Sequence, residues 1–315
     1  EYKVQIAYEA AVAGGIPIIK VMREGLAANR IDWLAGIING TGNFILSEMR
    51  DKGRAFEDVL KEAQELGYAE ADPTFDVEGI DAAHKLTLLA SIAFGIPLQF
   101  DKVFTEGISK ITAQDVQYAE ALGFRIKHLG IARRAATGIE LRVHPTLIPE
   151  EQLIANVNGV KNAVLVQANA VGPTLYYGAG AGAGPTASAV IADVVDIVRD
   201  ISYTEDGAGT IPQLAFESLS DLTILPREEM TTGYYILVNA EDQTGVLAQI
   251  TTILSNQGIG IDAIMQQSRL KDLIPIVILT DPVKEAKMDE ALSQIQALPT
   301  IRGEIVRIRL ESLDN

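Results

Sequence analysis

Along the first 200 residues the apolar positions switch between strand-like and helix-like spacing, and the switches fall at glycines. Residues 1 to 20 read as a strand (Tyr2, Val4, Ile6), a short helix from Tyr8, and a Gly14-Gly15-Ile16-Pro17 break that opens the apolar stretch Ile16 to Val21. Ile31 to Asn39 is a strand-like run ending in Gly40-Thr41-Gly42-Asn43, after which Phe44 to Arg50 takes helical spacing. Strand, glycine turn, helix is an α/β signature. Ala55 to Leu66 is amphipathic and stops at Gly67, and a further helix spans Asp81 to Phe94, stopped by Gly95 and Pro97. From Leu122 to Ala168 the apolar residues alternate (Ile126, Leu129, Ile131; Ile139, Leu141, Val143; Val164, Val166), which predicts antiparallel strands of a half-covered sheet.

Tyr176 to Gly184 is glycine-rich and leads through Pro185 and Thr186 into an apolar helix ending near Arg199. Residues 201–228 carry Gly207, Gly209, Pro212, Ser218, Ser220 and Pro226 and read as a linker. Beyond it the pattern resets: strand Tyr234 to Ala240, helix Val246 to Asn256, strands Ile259 to Gln267 and Ile274 to Thr280, helix Val283 to Leu298, strand Glu304 to Leu310. The order βαββαβ is a small ferredoxin-like unit. The fold class is therefore α/β (α+β): a mixed sheet with covering helices, followed by a βαββαβ unit.

A chain of 315 residues fits two domains, at about 150 residues each. Its 26 basic and 42 acidic side chains give a net charge of −16, a field that repels phosphate backbones and anionic headgroups and argues against nucleic acid and membrane as partners. Zero cysteines remove thiol nucleophiles, thiolate zinc sites and disulfides together, and fit a reducing, cytoplasmic compartment. The longest apolar run, Leu86 to Leu98, falls short of the roughly 20 residues a bilayer requires. With Glu1 first and a strand-like run starting at once, the chain reads as a piece of something longer.

The densest chemistry lies in Gly67-Tyr68-Ala69-Glu70-Ala71-Asp72-Pro73-Thr74-Phe75-Asp76-Val77-Glu78-Gly79-Ile80-Asp81, followed by Lys85. Asp81 and Lys85, four apart at a helix start, share a face. Charge spacing alone fits an exposed salt bridge beside a solvated acidic loop. It also fits an amino-acid substrate site, in which carboxylates hold an ammonium and the lysine donates to an oxygen that gains negative charge.

This string resembles the homoserine dehydrogenase signature, with its glycine-aromatic turn, Asp-Pro step, Asp-x-x-Gly-x-Asp and following lysine at matching spacing. Tyr8-Glu9-Ala10, Gly15-Ile16-Pro17, Asn39-Gly40-Thr41-Gly42-Asn43 and Pro185-Thr186-Ala187-Ser188-Ala189 resemble the same family. The resemblance implies reversible hydride transfer between NADPH or NADH and aspartate 4-semialdehyde, giving homoserine. It makes Lys85 the proton donor, Glu70 and Asp81 anchors of the amino group with Tyr68 and Asp76 beside them, and Gly67 and Glu70 neighbours of the cofactor. It places a monovalent cation, sodium, at Glu9, Val12, Gly14 and Ile16, as hard oxygen ligands suit.

The string Gly178, Gly180, Gly182, Gly184 does not fit GxGxxG, because Ala183 and Pro185 stand where the last glycine belongs. It reads as a tight turn before a helix with Pro185 near its first position, and the resemblance implies that the loop, chiefly Gly182, closes over the cofactor. GxGxxG occurs nowhere in the chain, so residues 1–20 are expected to be the remnant of a nucleotide-binding domain that grips the cofactor. Residues 21–200 would be the catalytic domain, with helix 185–199 returning to that absent domain.

The C-terminal unit, residues 229–315, resembles an ACT domain. Asn239, Asp242, Gly245 and Val246 lie at its first strand-to-helix turn, where amides and a polar side chain suit an amino-acid effector, which the resemblance makes threonine. A purely dimerising role is the simpler alternative. His84, His128 and His144 read as structural, and no nucleophile-elbow motif appears. The expected protein is a feedback-regulated homoserine dehydrogenase of threonine, methionine and isoleucine biosynthesis, a dimer or tetramer, inactive as this piece alone. The rivals are a non-enzymatic amino-acid sensor with a degenerate catalytic domain, and a divalent-cation lyase using the acid cluster.

Overall fold

In the computed structural model, residues 6–203, 219–266 and 273–314 are described. A 3₁₀ turn, Glu9–Ala11, precedes α1 (Ile18–Lys20), which continues into a π turn, Val21–Gly25. The elements that follow are β1 (Ile31–Ile37), α2 (Gly40–Lys52), α3 (Phe56–Glu65), α4 (Thr74–Val77), α5 (Ile80–Phe94), β2 (Phe104–Thr105), α6 (Ala113–Ala121), β3 (Phe124–Arg134), β4 (Ile139–Pro149), β5 (Lys161–Ala168), β6 (Gly172–Ala179) and α7 (Ala183–Tyr203). The C-terminal unit is β7 (Thr231–Glu241), α8 (Val246–Asn256), β8 (Ile261–Gln266), β9 (Leu273–Lys284), α9 (Glu285–Gln296) and β10 (Val306–Leu310). The βαββαβ order and the mixed α/β class are as the periodicity predicts.

The strands form one sheet in the order β6-β5-β1-β3-β4-β10-β7-β9-β8. Three segments share one edge of β4, all parallel to it: Ile224 beside Ile139, Phe104 and Thr105 beside Arg142 and Val143, and Arg309 and Leu310 beside Thr146 and Leu147. An edge that would otherwise be an open template is thereby closed, and the C-terminal sheet is joined to the first. Of the expected linker 201–228, residues 201–203 finish α7, residues 204–218 lie outside the described ones, and Ile224 and Leu225 are buried against β4.

One apolar cluster packs α5 (Ala82, Ala83, Leu86, Leu89, Ala90) against Leu34, Ile38, Leu141 and Val143 of the sheet. A second joins α2, α3 and α6 to Tyr235, Leu237, Val277, Leu279 and Ile308 of the C-terminal strands, so the two units share a core. On the other face of those strands α8 and α9 contribute Val246, Ile250, Leu254, Met288, Ala291 and Ile295. A fully buried leucine such as Leu86 is worth about 2–5 kcal/mol against alanine.

Several local expectations change. Gly40-Thr41-Gly42 is the first turn of α2 and not a turn before it: the Asn39 side chain accepts from Gly42 N at 2.8 Å, and the cap offsets the poor helix propensity of the glycines. A Cβ on Gly40 would lie 3.0 Å from the Val160 carbonyl, so a small residue is required there. Ile16 to Val21 is mostly helical despite its isoleucines, because the Glu9 carboxylate accepts from the amides of Ile19 and Lys20 at 2.8 Å each. The glycine-rich stretch begins as strand β6, paired with β5 from Gly172 to Ala179. α7 starts at Ala183, two residues ahead of Pro185, and runs past Arg199 to Tyr203. α6 and β2 were not legible in the pattern.

Candidate active site

Lys85 and Asp81 come from the first two turns of α5, whose start is set by Gly79 at φ +80°. A Cβ on Gly79 would stand 2.9 Å from Val143 Cγ1 and 3.0 Å from His128 Cε1, so glycine lets α5 begin against the sheet. Lys85 Nζ donates to Asp81 Oδ2 at 2.6 Å and to the Ile38 carbonyl at 3.0 Å. An ammonium has three N–H donors, which leaves one for another acceptor. Both side chains are about a quarter exposed, 23% and 25%, so the pair borders solvent without dissolving in it.

Asp76, on α4, joins the pair through Asn39, whose Nδ2 donates to Asp76 Oδ1 at 2.7 Å and to Asp81 Oδ2 at 2.9 Å. Burial raises the Asp76 carboxyl above its ordinary value, Asn39 and Lys85 pull it down, and the charges of Asp81 and Glu70 push it up. Tyr68 stands on the rim, its ring edge-on to Phe44 at 5.1 Å and its carbonyl accepting from Thr41 Oγ1 at 2.6 Å. Glu70 is exposed, and its carboxylate has no partner among the described residues, while Gln64 Nε2 donates to its carbonyl at 3.0 Å. Gly67, at φ +74°, ends α3 in open space. Lys85, Asp81 and Asp76 thus form one hydrogen-bonded group through Asn39, with Glu70 near enough for its charge to act on Asp76, while the contacts of Tyr68 are to Thr41 and Phe44. A convergent set of two bridged carboxylates and a lysine with a spare donor suits a ligand carrying both an ammonium and an oxygen that gains charge.

A second region gathers Glu9, Val12, Gly14 and Ile16. Burial raises the Glu9 carboxyl although the Ile19 and Lys20 amides favour its charged form. No donor among the described residues reaches the Val12 or Gly14 carbonyl, and Ile16 O accepts from Ile18 N at 2.7 Å. These are hard oxygen donors, the kind an alkali or alkaline-earth cation takes. The glycine string packs on this loop: Gly15 N donates to Ala179 O at 2.9 Å, and a Cβ on Gly14 would meet the Gly180 carbonyl at 2.5 Å. Gly182, at φ +116°, leads into α7 and lines a shallow hollow of about 460 Å³ with Thr186, Val190 and Ile191.

In the C-terminal unit Gly245, at φ +92°, caps α8 with open space where a Cβ would be. Val246 is buried in the core, leaving its amide as the group that could face a ligand, and Asn239 O accepts from Arg302 N at 2.9 Å. Asp242 lies in the same turn.

Neither hydrogen bond of Lys85 among the described residues is to a histidine. His84 stacks on Phe100 at 3.8 Å. His128 is buried, which lowers it to about 4, and its Nε2 lies 3.0 Å from Glu106 O. His144 is buried between Arg142 and Arg309, and is held neutral by that burial and their charges. The residues that sequence reasoning left without a role are Asn39 and Ile38. Asparagine before a helix is a strong cap signal and could have marked the first; a main-chain carbonyl carries no signal at all.

The family profile described as homoserine dehydrogenase matches residues 17–195. The chain belongs to the homoserine dehydrogenase family. These are NAD(P)-dependent oxidoreductases, and the ACT domain profile matches residues 234–300. The chain is 64% identical over 318 residues to the homoserine dehydrogenase of Pseudomonas aeruginosa, spanning 100% of this chain and 73% of that one. It is 56% identical to that of Neisseria gonorrhoeae, spanning 98% and 71%. The crystal structure of the Thiobacillus denitrificans homoserine dehydrogenase superposes with a TM-score of 0.93 at 62% identity, over 98% of this chain and 70% of that one. A hyperthermophilic archaeal homoserine dehydrogenase in complex with NADPH superposes at 0.52 and 28% identity, over 60% and 54%. No helix among the described residues is long and apolar enough to cross a membrane.

Proposed function

We propose that the chain carries the substrate-binding and proton-transfer part of a homoserine dehydrogenase acting in cytoplasmic amino-acid biosynthesis. The observation that carries this is Lys85 Nζ, fixed by Asp81 and the Ile38 carbonyl with its third N–H unused, beside two carboxylates that suit an ammonium. When bound, a nicotinamide supplies the hydride to the aldehyde carbon of aspartate 4-semialdehyde. Lys85 gives its proton to the aldehyde oxygen as negative charge develops there, and takes it back from homoserine in the reverse direction. In this reading Glu70 and Asp81 hold the amino group with Tyr68 and Asp76 beside them, and Gly67, Glu70 and Gly182 are assigned to the cofactor.

In the full-length enzyme, Lys85→Ala should fold and lose about 10² or more in kcat for semialdehyde reduction, the scale of general-acid assistance. A kcat within about threefold of the parent would remove Lys85 from the mechanism.

The same reading has sodium bound by Glu9 and the carbonyls of Val12, Gly14 and Ile16, and threonine, as pathway product, at Asn239, Asp242, Gly245 and the Val246 amide, with feedback through a dimer or tetramer. Neither binding step touches the hydride chemistry. With no GxGxxG run to grip a pyrophosphate, the 315-residue chain alone is expected to be inactive. Calorimetry on that chain should give heat with sodium and with threonine, and none with NADPH at micromolar concentrations. Silence with threonine would leave the ACT unit as a structural module, and NADPH binding with turnover would overturn the expected inactivity.

A further inference from the structure

We propose that the β1–α2 junction sets the charge state and geometry of this site, and that Asn39 is a positioning residue for the reaction. The inference rests on the reading of Lys85, Asp81 and Asp76 as the site.

Two consecutive residues act here through different groups. Ile38 offers its carbonyl to Lys85 Nζ at 3.0 Å. Asn39 offers its side-chain amide to both aspartates, at 2.7 Å and 2.9 Å. The orientation of that amide is decided by chemistry: Oδ1 accepts from Gly42 N at 2.8 Å, so the acceptor end must face the helix and the two N–H groups must face the acids. Asp81 Oδ2 consequently takes two donors, Asn39 Nδ2 and Lys85 Nζ, and its position fixes where the ammonium of the lysine sits. Asn39 is 7% exposed, so water is a poor substitute for it.

Electrostatics gives the junction its second task. Asp76 is faced by Asp81 and Lys85 from α5, by Glu70 from the loop after α3 and by the Asn39 amide. Burial and two like charges favour its protonation, and a protonated Asp76 holds an ammonium poorly. A neutral amide that donates to Asp76 favours its charged form without adding a cation that would compete with the substrate. The simpler account of Asn39 is a helix cap alone, and the two roles separate by substitution. Asn39→Ser keeps a capping oxygen and is too short to bridge the acids; Asn39→Asp keeps the shape and the cap and replaces the donor by a third carboxylate.

The test is the pH profile of kcat/KM in the full-length enzyme for the parent, both variants, and the controls Lys85→Ala and Asp81→Asn. A hydrogen bond to a charged carboxylate is worth about one to two pH units on its titration. The acid limb should therefore move up by about one unit or more in Asn39→Ser, and further in Asn39→Asp, with losses larger at pH 6 than at pH 9. Asn39→Asp serves alone if the serine variant does not fold. A parent-to-variant ratio independent of pH, or activity within about threefold of the parent with an unmoved acid limb, would leave Asn39 as a cap and overturn the proposal. Activity retained in the Lys85 and Asp81 controls would instead overturn the reading of the site.

Discussion

Lys127 on β3 is 1% exposed, and no carboxylate among the described residues lies within ion-pair distance of it. Its Nζ donates instead to the Val157 carbonyl at 2.5 Å and contacts Asn43 Oδ1 at 3.3 Å. Burial lowers the amine to about 7, with Arg50 and Arg125 adding to the effect. An unfolded lysine titrates near 10.4, so between about pH 7 and 10 the unfolded chain binds more protons and this residue's contribution to stability rises with pH. Lys127→Met is accordingly expected to melt above the parent at pH 7, with the gap narrowing by pH 10. Asn43 Nδ2 still donates to Val157 O at 3.1 Å, and the bond the change takes from Asn43 Oδ1 is a long 3.3 Å contact, small beside the cost of burying the amine. A gap that stays constant across that range would mean that the amine is charged in the fold. At this scale the acids and lysine of the 67–85 string were legible from residue type and spacing. Lys127 was not, because a lysine in an alternating run looks like the solvent face until the other side is covered.

Among the elements, α6 shows how a helix escapes periodicity and still has a clear start. Thr112 Oγ1 accepts from Asp115 N at 3.2 Å while Asp115 Oδ2 accepts from Thr112 N at 3.0 Å, a complete capping box. Asp115 is fully buried, and Tyr235 Oη of β7 reaches its other oxygen at 3.4 Å. Burial raises the Asp115 carboxyl, and the Thr112 bonds pull against that. Thr112→Ala removes one of them from a group water does not reach, so it should cost about 1–2 kcal/mol in urea unfolding, the upper part of the range for such caps. A loss below about 0.3 kcal/mol would show that the residue-112 amide and Tyr235 satisfy the carboxylate without the hydroxyl. The helices read correctly, α3, α5 and α8, have spaced apolar positions and glycine or asparagine ends. The two whose starts lie earlier than the pattern places them, α2 and α7, begin in glycine and alanine; Gly40 lies close against Val160, and Pro185 in the first turn of α7 packs on Gly15.

Across the whole molecule the seam between β4 and β10 is ionic as well as hydrogen-bonded. Arg309 of β10 bridges Glu285 of α9 at 2.5 Å and Glu106 beside β2 at 2.9 Å, while Glu311 pairs with Arg142 of β4 at 2.7 Å and Arg133 of β3 at 2.8 Å. Burial alone would raise the carboxyls of Glu285 and Glu311, but the arginines outweigh it and hold both below the usual range. Their contribution is present above the unfolded value near 4.3 and is lost as pH falls through the folded values. Replacing Arg309 takes from Glu285 its shortest ion pair and leaves it Arg307, Arg227 and the Tyr234 hydroxyl, so Arg309→Met should cost about 1.5–3 kcal/mol at pH 7, the scale of a bond to a charged group. The cost should shrink as pH falls below the unfolded carboxylate value near 4.3 and Glu285 takes up its proton. Urea unfolding at pH 7 and at low pH measures this, and a cost below about 1 kcal/mol at pH 7 would show that Arg307, Arg227 and Tyr234 hold Glu285 without Arg309.

What the amino-acid sequence determined by itself was local or written in residue type: the strand and helix periods, the βαββαβ order, the 67–85 signature and the family it resembles. Those follow from spacing along a chain that repeats every two or 3.6 residues. The tertiary structure alone decided that three distant segments close one edge of β4, that the two units share a sheet and a core, that a lysine is buried without a carboxylate, and that Asn39 bridges two aspartates. Each of these depends on which surfaces meet after collapse. Pairing across tens to hundreds of residues is governed by complementary edges and charges that no local pattern encodes.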